Sequence, residues 1–471
     1  DTQYVKINGK NKTDTVTFVD KKVTASKTTI TGTDEIKGAV MTVTDNDGKV
    51  IDTWTSDGNP HSIKGLHEGW EYTLTETTAP KGYVKADSIK FTVSTDKKDQ
   101  TLVMKDKQFT ASKKDVSGKN YVEGAKLEVR DDQNRVVDSW TSTKEDHYVS
   151  GLEEGKTYRL VEAEAPKGYV KAKDVFFTVS NEKKNESVVM KDAKITASKT
   201  EVTGTKEVEG AKMTVTDEKG KTVDEWTSGK EEHSISGLEE GKKYTLTETT
   251  APKGYVKAES IEFTAGDKDQ KLVMKDKQVT ITKTEVTGTK EIEGAKMTVK
   301  DETGKTVDTW TSTKEEHYVS GLEEGKKYTL IEETAPEGYV RADEITFTVT
   351  KEKVDQEVNM FDAQVKVTKT DALTGDAVKG AEFTVFDKDG NIVDKWTTDG
   401  TAHAVSGLDA GCEYVLKETK TPEGYMTAPD RTLVVSGEQN MDVEIKEQPV
   451  LTDIEVQKVD AQTKKVIRSK D

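Results

Sequence analysis

The sequence has little with which to build a large interior. Of its 471 residues only 32% are hydrophobic and 6% aromatic, against 34% charged, where a globular chain usually carries about 45–50% apolar residues. One extensive core is excluded, which leaves disorder or several small domains with thin cores. There is a single cysteine, Cys412, so neither a disulfide framework nor a cysteine metal site can form. No stretch approaches the run of about 18 apolar residues that a membrane-spanning helix needs, and the chain opens on Asp1-Thr2-Gln3 without a signal-peptide pattern. Basic runs are missing as well. With a formal net charge of −17, a strong grip on nucleic acid or anionic lipid is not expected.

What is present is repetition, and it settles the question of disorder. A short motif ending in lysine recurs at Lys27, Lys113, Lys199, Lys283, Lys369 and Lys458, at intervals of 86, 86, 84, 86 and 89 residues. Trp54, Trp140, Trp226, Trp310 and Trp396 keep the same beat, as do the pentapeptides APKGY, APEGY and TPEGY that end at Tyr83, Tyr169, Tyr255, Tyr339 and Tyr425. A period near 86 is too long for a solenoid repeat and suits a small independent domain. Five domains are expected, at 21–106, 107–192, 193–276, 277–362 and 363–448, the fifth the most divergent. Residues 1–20 read as the last strand of a preceding repeat, and 449–471 as the first strand of a following one.

Within a repeat the hydrophobic period is two. Tyr72-Thr73-Leu74-Thr75-Glu76 and Ile89-Lys90-Phe91-Thr92-Val93 alternate as half-buried strands do, and Asp47-Gly48 marks a hairpin. The expected fold is all-β: five small antiparallel sandwiches of about seven strands each. Asp106-Lys107-Gln108-Phe109 joins last strand to first without a flexible tract, so the domains should stack into an elongated rod. The Asp45-Asn46-Asp47-Gly48 and Asp387-Lys388-Asp389-Gly390 turns lack the length and terminal glutamate of a calcium loop and are read as plain turns. No metal and no cofactor is expected.

Strand parity singles out three charged residues. Alternate residues share a face, so Val23, Ala25 and Lys27 point one way, and every copy repeats this at Lys113, Lys199, Lys283 and Lys369. A middle strand does the same with a glutamate, as in Tyr72/Leu74/Glu76, and with Glu162, Glu248, Glu332 and Glu418. The last strand does it with an aspartate, as in Leu102/Met104/Asp106, and with Asp192, Asp276 and Asp362. A solitary charge at the end of an apolar stripe ordinarily snorkels to solvent. Three per domain, in step, suggest a buried set. Each buried ion costs several kcal/mol to desolvate, burial disfavours both charged forms, and two adjacent carboxylates cannot both ionise cheaply. A neutral amine beside a neutral carboxylic acid is the pair that amide formation requires, with the glutamate as proton carrier.

At these residues the sequence resembles tandem collagen-adhesin B-type domains, also called Spa-type or prealbumin-like domains, of Gram-positive surface adhesins and pili. The matching features are the lysine strand (ASKT, ITKT, VTKTD), the glutamate box (ETTAPKGY, EAEAPKGY, EETAPEGY, ETKTPEGY) and the terminal VMKD or NMFD. The resemblance covers essentially the whole chain. It implies a glutamate-assisted intramolecular isopeptide bond in four domains: Lys27/Glu76/Asp106, Lys113/Glu162/Asp192, Lys199/Glu248/Asp276 and Lys283/Glu332/Asp362. It also implies an extracellular, wall-attached protein. The fifth domain departs from the pattern, because Glu447 stands where the others have aspartate. Its extra methylene moves the carboxyl carbon, which leaves the set Lys369/Glu418/Glu447 in doubt. Asp20 and Lys458 each lack a partner within their fragments. Neither an LPxTG-type sorting signal nor a pilin-motif lysine is present.

The function expected is a stalk rather than an enzyme, with neighbouring repeats as its partners and any host ligand held by a tip domain outside this sequence. The alternative is that the repeats themselves bind host matrix protein or glycan, through the recurring Trp and Tyr residues or the divergent fifth repeat with Phe383, Phe386 and Cys412. His61, His147, His233, His317 and His403 have no Ser or Cys nucleophile beside them and are read as exposed surface. Cys412 replaces Trp70, Lys156, Lys242 or Lys326 in a turn and is expected to be exposed.

Overall fold

The computed structural model describes residues 20–96, 98–452 and 454–468, and among them there is no helix. The first repeat shows how its sequence folds. Its seven strands are β1 (Val23–Thr29), β2 (Lys37–Asp45), β3 (Val50–Asp57), β4 (His61–Ser62), β5 (Glu71–Thr78), β6 (Ile89–Thr92) and β7 (Gln100–Asp106). They form a three-stranded sheet in the order β4-β1-β7 and a four-stranded sheet in the order β3-β2-β5-β6. The period-two stripes face each other between the sheets. Val23, Ala25, Leu102 and Met104 come from one; Met41, Val43, Tyr72, Leu74 and Phe91 come from the other. The same two sheets recur in the other four repeats, the fifth adding Tyr425–Met426 as a fourth strand beside its last strand.

One pairing departs from the antiparallel expectation. β1 and β7 run parallel, with Lys27 opposite Met104 and Thr29 opposite Asp106, and the first and last strands of the other repeats pair the same way. Alternation of side chains is the same in parallel and antiparallel strands, so it carries no information on direction. The remaining sheet pairs within the first repeat are antiparallel.

The turns need no cation. The carboxylate Oδ1 of Asp45 accepts backbone N–H groups of Asp47 and Lys49 at 3.0 and 2.9 Å, and Asp387 does the same for Asp389 and Asn391.

Neighbouring repeats are joined by more than the connecting peptide. The pentapeptide loop of each of the first four repeats lies against the next one and lends it a core residue: Val84, Val170, Val256 and Val340 are each buried in the hydrophobic cluster of the following repeat. Around Val84, Gly82 N–H donates to Ser150 Oγ at 3.0 Å, Lys85 N–H to the Leu152 carbonyl at 2.9 Å, and Glu154 N–H back to the Lys85 carbonyl. Gly82 has φ of +82°, and a Cβ there would lie 3.1 Å from Cβ of Tyr148 in the next repeat. Glycine is thus required both by the turn and by the closeness of the neighbour.

Candidate functional site

Parity placed a lysine, a glutamate and an aspartate on inward stripes, and the structure brings them together. β1 supplies Lys27, β5 supplies Glu76 and β7 supplies Asp106, with relative exposures of 3%, 0% and 2%. Lys27 Nζ contacts Asp106 Oδ1 directly and lies 3.0 Å from Glu76 Oε1. In the next three repeats Lys113, Lys199 and Lys283 contact Asp192, Asp276 and Asp362. Their distances to Glu162, Glu248 and Glu332 are 2.9, 3.0 and 3.1 Å. Parallel pairing makes this meeting possible. Both Lys27 and Asp106 stand at the C-terminal ends of their stripes, and antiparallel strands would have set those ends apart.

The site sits in a nearly dry interior. Burial pushes the Asp106 carboxyl up to about 7; Lys27 pulls it back and Glu76 pushes it further up. Asp192, Asp276 and Asp362 are pushed up to about 7 for the same reasons. An aspartate in that range is substantially protonated near neutrality, which a carboxyl must be if its hydroxyl is to leave as water. Asp106 Oδ2 is buried without a hydrogen-bond partner, a costly state for a polar atom, and Glu76 Oε1 faces only the Lys27 ammonium. The other glutamate oxygen is held: Glu76 Oε2 accepts the Ala86 N–H at 2.8 Å, and Ala172, Ala258 and Ala342 do the same for Glu162, Glu248 and Glu332.

The fifth repeat keeps the arrangement with altered parts. Lys369 lies 3.1 Å from Glu418 and directly against Glu447, which occupies the register of Asp106. Its ammonium also lies 4.9 Å above the ring centroid of Phe383, where the other repeats have Met41, Leu127, Met213 and Met297. Burial moves the Lys369 pKa down, against the pull of Glu418. Asp20 and Lys458 are exposed; Val16 and Phe18, which precede Asp20, lie outside the described residues. Ile467 N–H donates to the Lys458 carbonyl at 2.7 Å, as Ile36 N–H does to that of Lys27.

The histidines are not the exposed residues expected. Their side chains are about one-quarter exposed, as for His147 at 26%. Each stacks on its repeat's tryptophan with ring centroids 4.0–4.1 Å apart and bonds through Nε2 to an aspartate: Asp52, Asp138, Asp224, Asp308 or Asp394. In four repeats that same aspartate oxygen caps a serine N–H twelve residues on, as at Ser150. The cluster is a packing device on the sheet edge. Its signal in the sequence is the fixed interval of nine residues from Asp to His. Cys412 is exposed in its turn, as expected.

Comparison with known proteins agrees with this architecture. The family model described as SpaA, prealbumin-like fold domain, matches residues 21–108, 107–194, 193–278, 277–364 and 363–449. The serine-aspartate repeat-containing protein F of Staphylococcus epidermidis is 32% identical over 163 residues, which is 29% of this chain and only 9% of that protein. Among solved structures, the shaft pilin SpaA of Lactobacillus rhamnosus GG is 14% identical and aligns over 38% of this chain and 99% of its own, with a TM-score of 0.21. A minor pilin of Streptococcus agalactiae is 15% identical over 39% of this chain and 100% of its own, also with a TM-score of 0.21. The matched domains account for nearly all of residues 21–449, and the chain belongs to the SpaA prealbumin-like family as five members in tandem.

Proposed function

We propose that this chain is a covalently stiffened stalk segment of a Gram-positive surface adhesin or pilus, wall-attached and exposed outside the cell. The observation that carries the proposal is the buried Lys–Asp contact with its attendant glutamate, found in four successive repeats. The division into repeats at 21–106, 107–192, 193–276, 277–362 and 363–448, with partial repeats at 1–20 and 449–471, belongs to the same proposal.

The chemistry is a single-turnover condensation. With amine and carboxylic acid neutral, Lys27 Nζ attacks Cγ of Asp106 and forms the C–N bond. Glu76 takes a proton from Nζ and gives one to the departing hydroxyl, and the Cγ–O bond breaks to release water. The amide has no charge left to bury. Lys113/Asp192, Lys199/Asp276 and Lys283/Asp362 react in the same way, with Glu162, Glu248 and Glu332 as shuttles.

The mechanical gain follows from the strand order. Tension enters a repeat at its first strand and leaves at its last, and those strands are parallel neighbours. A Lys27–Asp106 bond takes residues 28–105 out of the load path. An unlinked repeat of 86 residues would unravel to about 290 Å at roughly 3.4 Å per residue. By the disulfide analogy, closing a loop of about 80 residues also removes roughly 4–5 kcal/mol of unfolded-state entropy, which matters in a domain this small.

Intact mass under denaturing conditions tests the proposal. Four bonds give a mass four waters below the sequence value, and a fifth is lost if Glu447 reacts. Glu76→Ala should restore one water and leave the other repeats linked. A wild-type mass equal to that of the sequence defeats the proposal.

A further inference from the structure

The reaction centre of each repeat is held from outside as well as inside. The loop 79–87 carries the Ala86 N–H that fixes Glu76 Oε2. Two residues earlier it inserts Val84 into the core of the second repeat. Val84 N–H donates to the carbonyl of Lys107 at 3.0 Å, and Lys107 is the residue directly after Asp106. The backbone at Val84 therefore ties the segment that holds the shuttle to the peptide that follows the acceptor, and the second repeat anchors its side chain. Asp87 N–H, on the far side of Ala86, donates to Glu154 Oε2 of the second repeat at 3.3 Å.

The pattern recurs at the next three junctions. Val170, Val256 and Val340 N–H donate to the carbonyls of Ala193, Lys277 and Ala363, which follow Asp192, Asp276 and Asp362. Ser236, Ser320 and Ser406 take the place of Ser150. The loop glycines Gly168, Gly254 and Gly338 would each place a Cβ 3.0–3.1 Å from a side chain of the next repeat. In the fifth repeat Gly424 has open space around it and Met426 is 56% exposed; there an extension of the repeat's own last strand pairs with Tyr425–Met426 and takes the neighbour's place in holding the loop whose Ala428 N–H fixes Glu418.

We propose that docking of the C-terminal neighbour completes the reaction centre, so that Lys–Asp bond formation in each of repeats one to four depends on the repeat that follows. Val84, Val170, Val256 and Val340 are positioning residues: they act through the glutamate's backbone donor and the peptide after the aspartate. This inference rests on the condensation proposed above.

The test uses the full chain made by cell-free translation, quenched in denaturant at intervals and digested, so that each repeat's cross-linked peptide is followed separately. Val84→Ser should slow the Lys27–Asp106 bond by about ten- to a hundredfold, the scale set by a misplacement near 1 Å. Bonds in repeats three and four should form at wild-type rates. The double variant Ser150→Ala/Glu154→Gln alters only the second repeat's side of the junction. It should slow the first repeat's bond in the same direction but less, and it decides the matter if Val84→Ser unfolds the second repeat. A purely structural valine predicts the reverse, with the Lys113–Asp192 bond of the second repeat delayed and that of the first unaffected. That result, or unchanged first-repeat kinetics in both variants, overturns the inference while the condensation stands. Absence of every bond from the wild-type chain instead overturns the condensation itself, and this inference with it.

Discussion

The first four repeats and the fifth have the same two sheets but differ around the lysine. In the first four, a short aspartate reaches Nζ over an aliphatic floor of methionine or leucine. In the fifth, Glu447 brings an extra methylene and Phe383 places an aromatic face under the ammonium. A ring face attracts the ammonium and so works against the burial that lowers the Lys369 pKa, while the longer acid shifts the carbon to be attacked. The fold tolerates both changes: Lys369 and Glu447 still meet, and Ala428 N–H still holds Glu418 at 2.6 Å. Packing therefore demands only that the charges be gathered. Reaction demands more.

The sharpest way to break this contrast is to convert one kind of repeat into the other. Glu447→Asp with Phe383→Met should cross-link the fifth repeat, and Asp106→Glu should leave the first unlinked. The double variant should then lie five waters below its own sequence mass and Asp106→Glu three, against four for the wild type, and a fifth repeat that stays unlinked in the double variant would show that these two residues are not the cause.

A smaller effect is expected from pH. In Glu76→Ala the first repeat keeps a free Asp106, whose carboxyl burial, the largest influence, pushes upward. A folded-state pKa above the usual carboxylate value of about 4 means that the folded form binds the proton more tightly. The stability from this group is then fully present below about pH 4 and is lost as pH rises through the folded value. Denaturant melts of that repeat should weaken from pH 4.5 to pH 8, whereas the amide proposed for the wild-type repeat removes this carboxyl and with it any such slope from this residue. A variant as stable at pH 8 as at 4.5 counts against a buried, uncompensated acid.

The smallest effect concerns a feature all five repeats share. Removing the stack and the hydrogen bond with His147→Ala should cost about 1–2 kcal/mol, measured by melting the second repeat in a Glu162→Ala background. The Lys113–Asp192 bond should still form when Glu162 is present. A loss of that bond would place the Trp–His–Asp cluster in the reaction after all.

The buried lysine, glutamate and aspartate were legible because each sits at the end of a two-residue alternation, and alternation is a local property of the chain. Glu447 could be placed by the same count from Val443 and Ile445. Strand direction was not legible from periodicity: the stripes suggested antiparallel strands throughout, and the parallel pairing of first with last strand came only with the structure. The role of APKGY was hidden for a different reason. Val84 looks like a loop residue in its own repeat, and its burial comes from the core of the next one, built between Phe109 and Met190. The histidines were misjudged because their partners Trp54 and Asp52 lie on another strand, across a turn that periodicity does not join.

The parallel closing pair has a consequence for biogenesis. β1 lies in the middle of its sheet, yet one of its two neighbours is the last strand to be synthesised, so its edge stays open until the repeat is complete. By then the array offers rivals. Residues 103–108 and 273–278 are both VMKDKQ, and a strand that closed the wrong repeat would be welded there by the same condensation. The short peptides between repeats, and the valine that each loop lodges in the following core, limit how far a strand can stray before the choice becomes permanent.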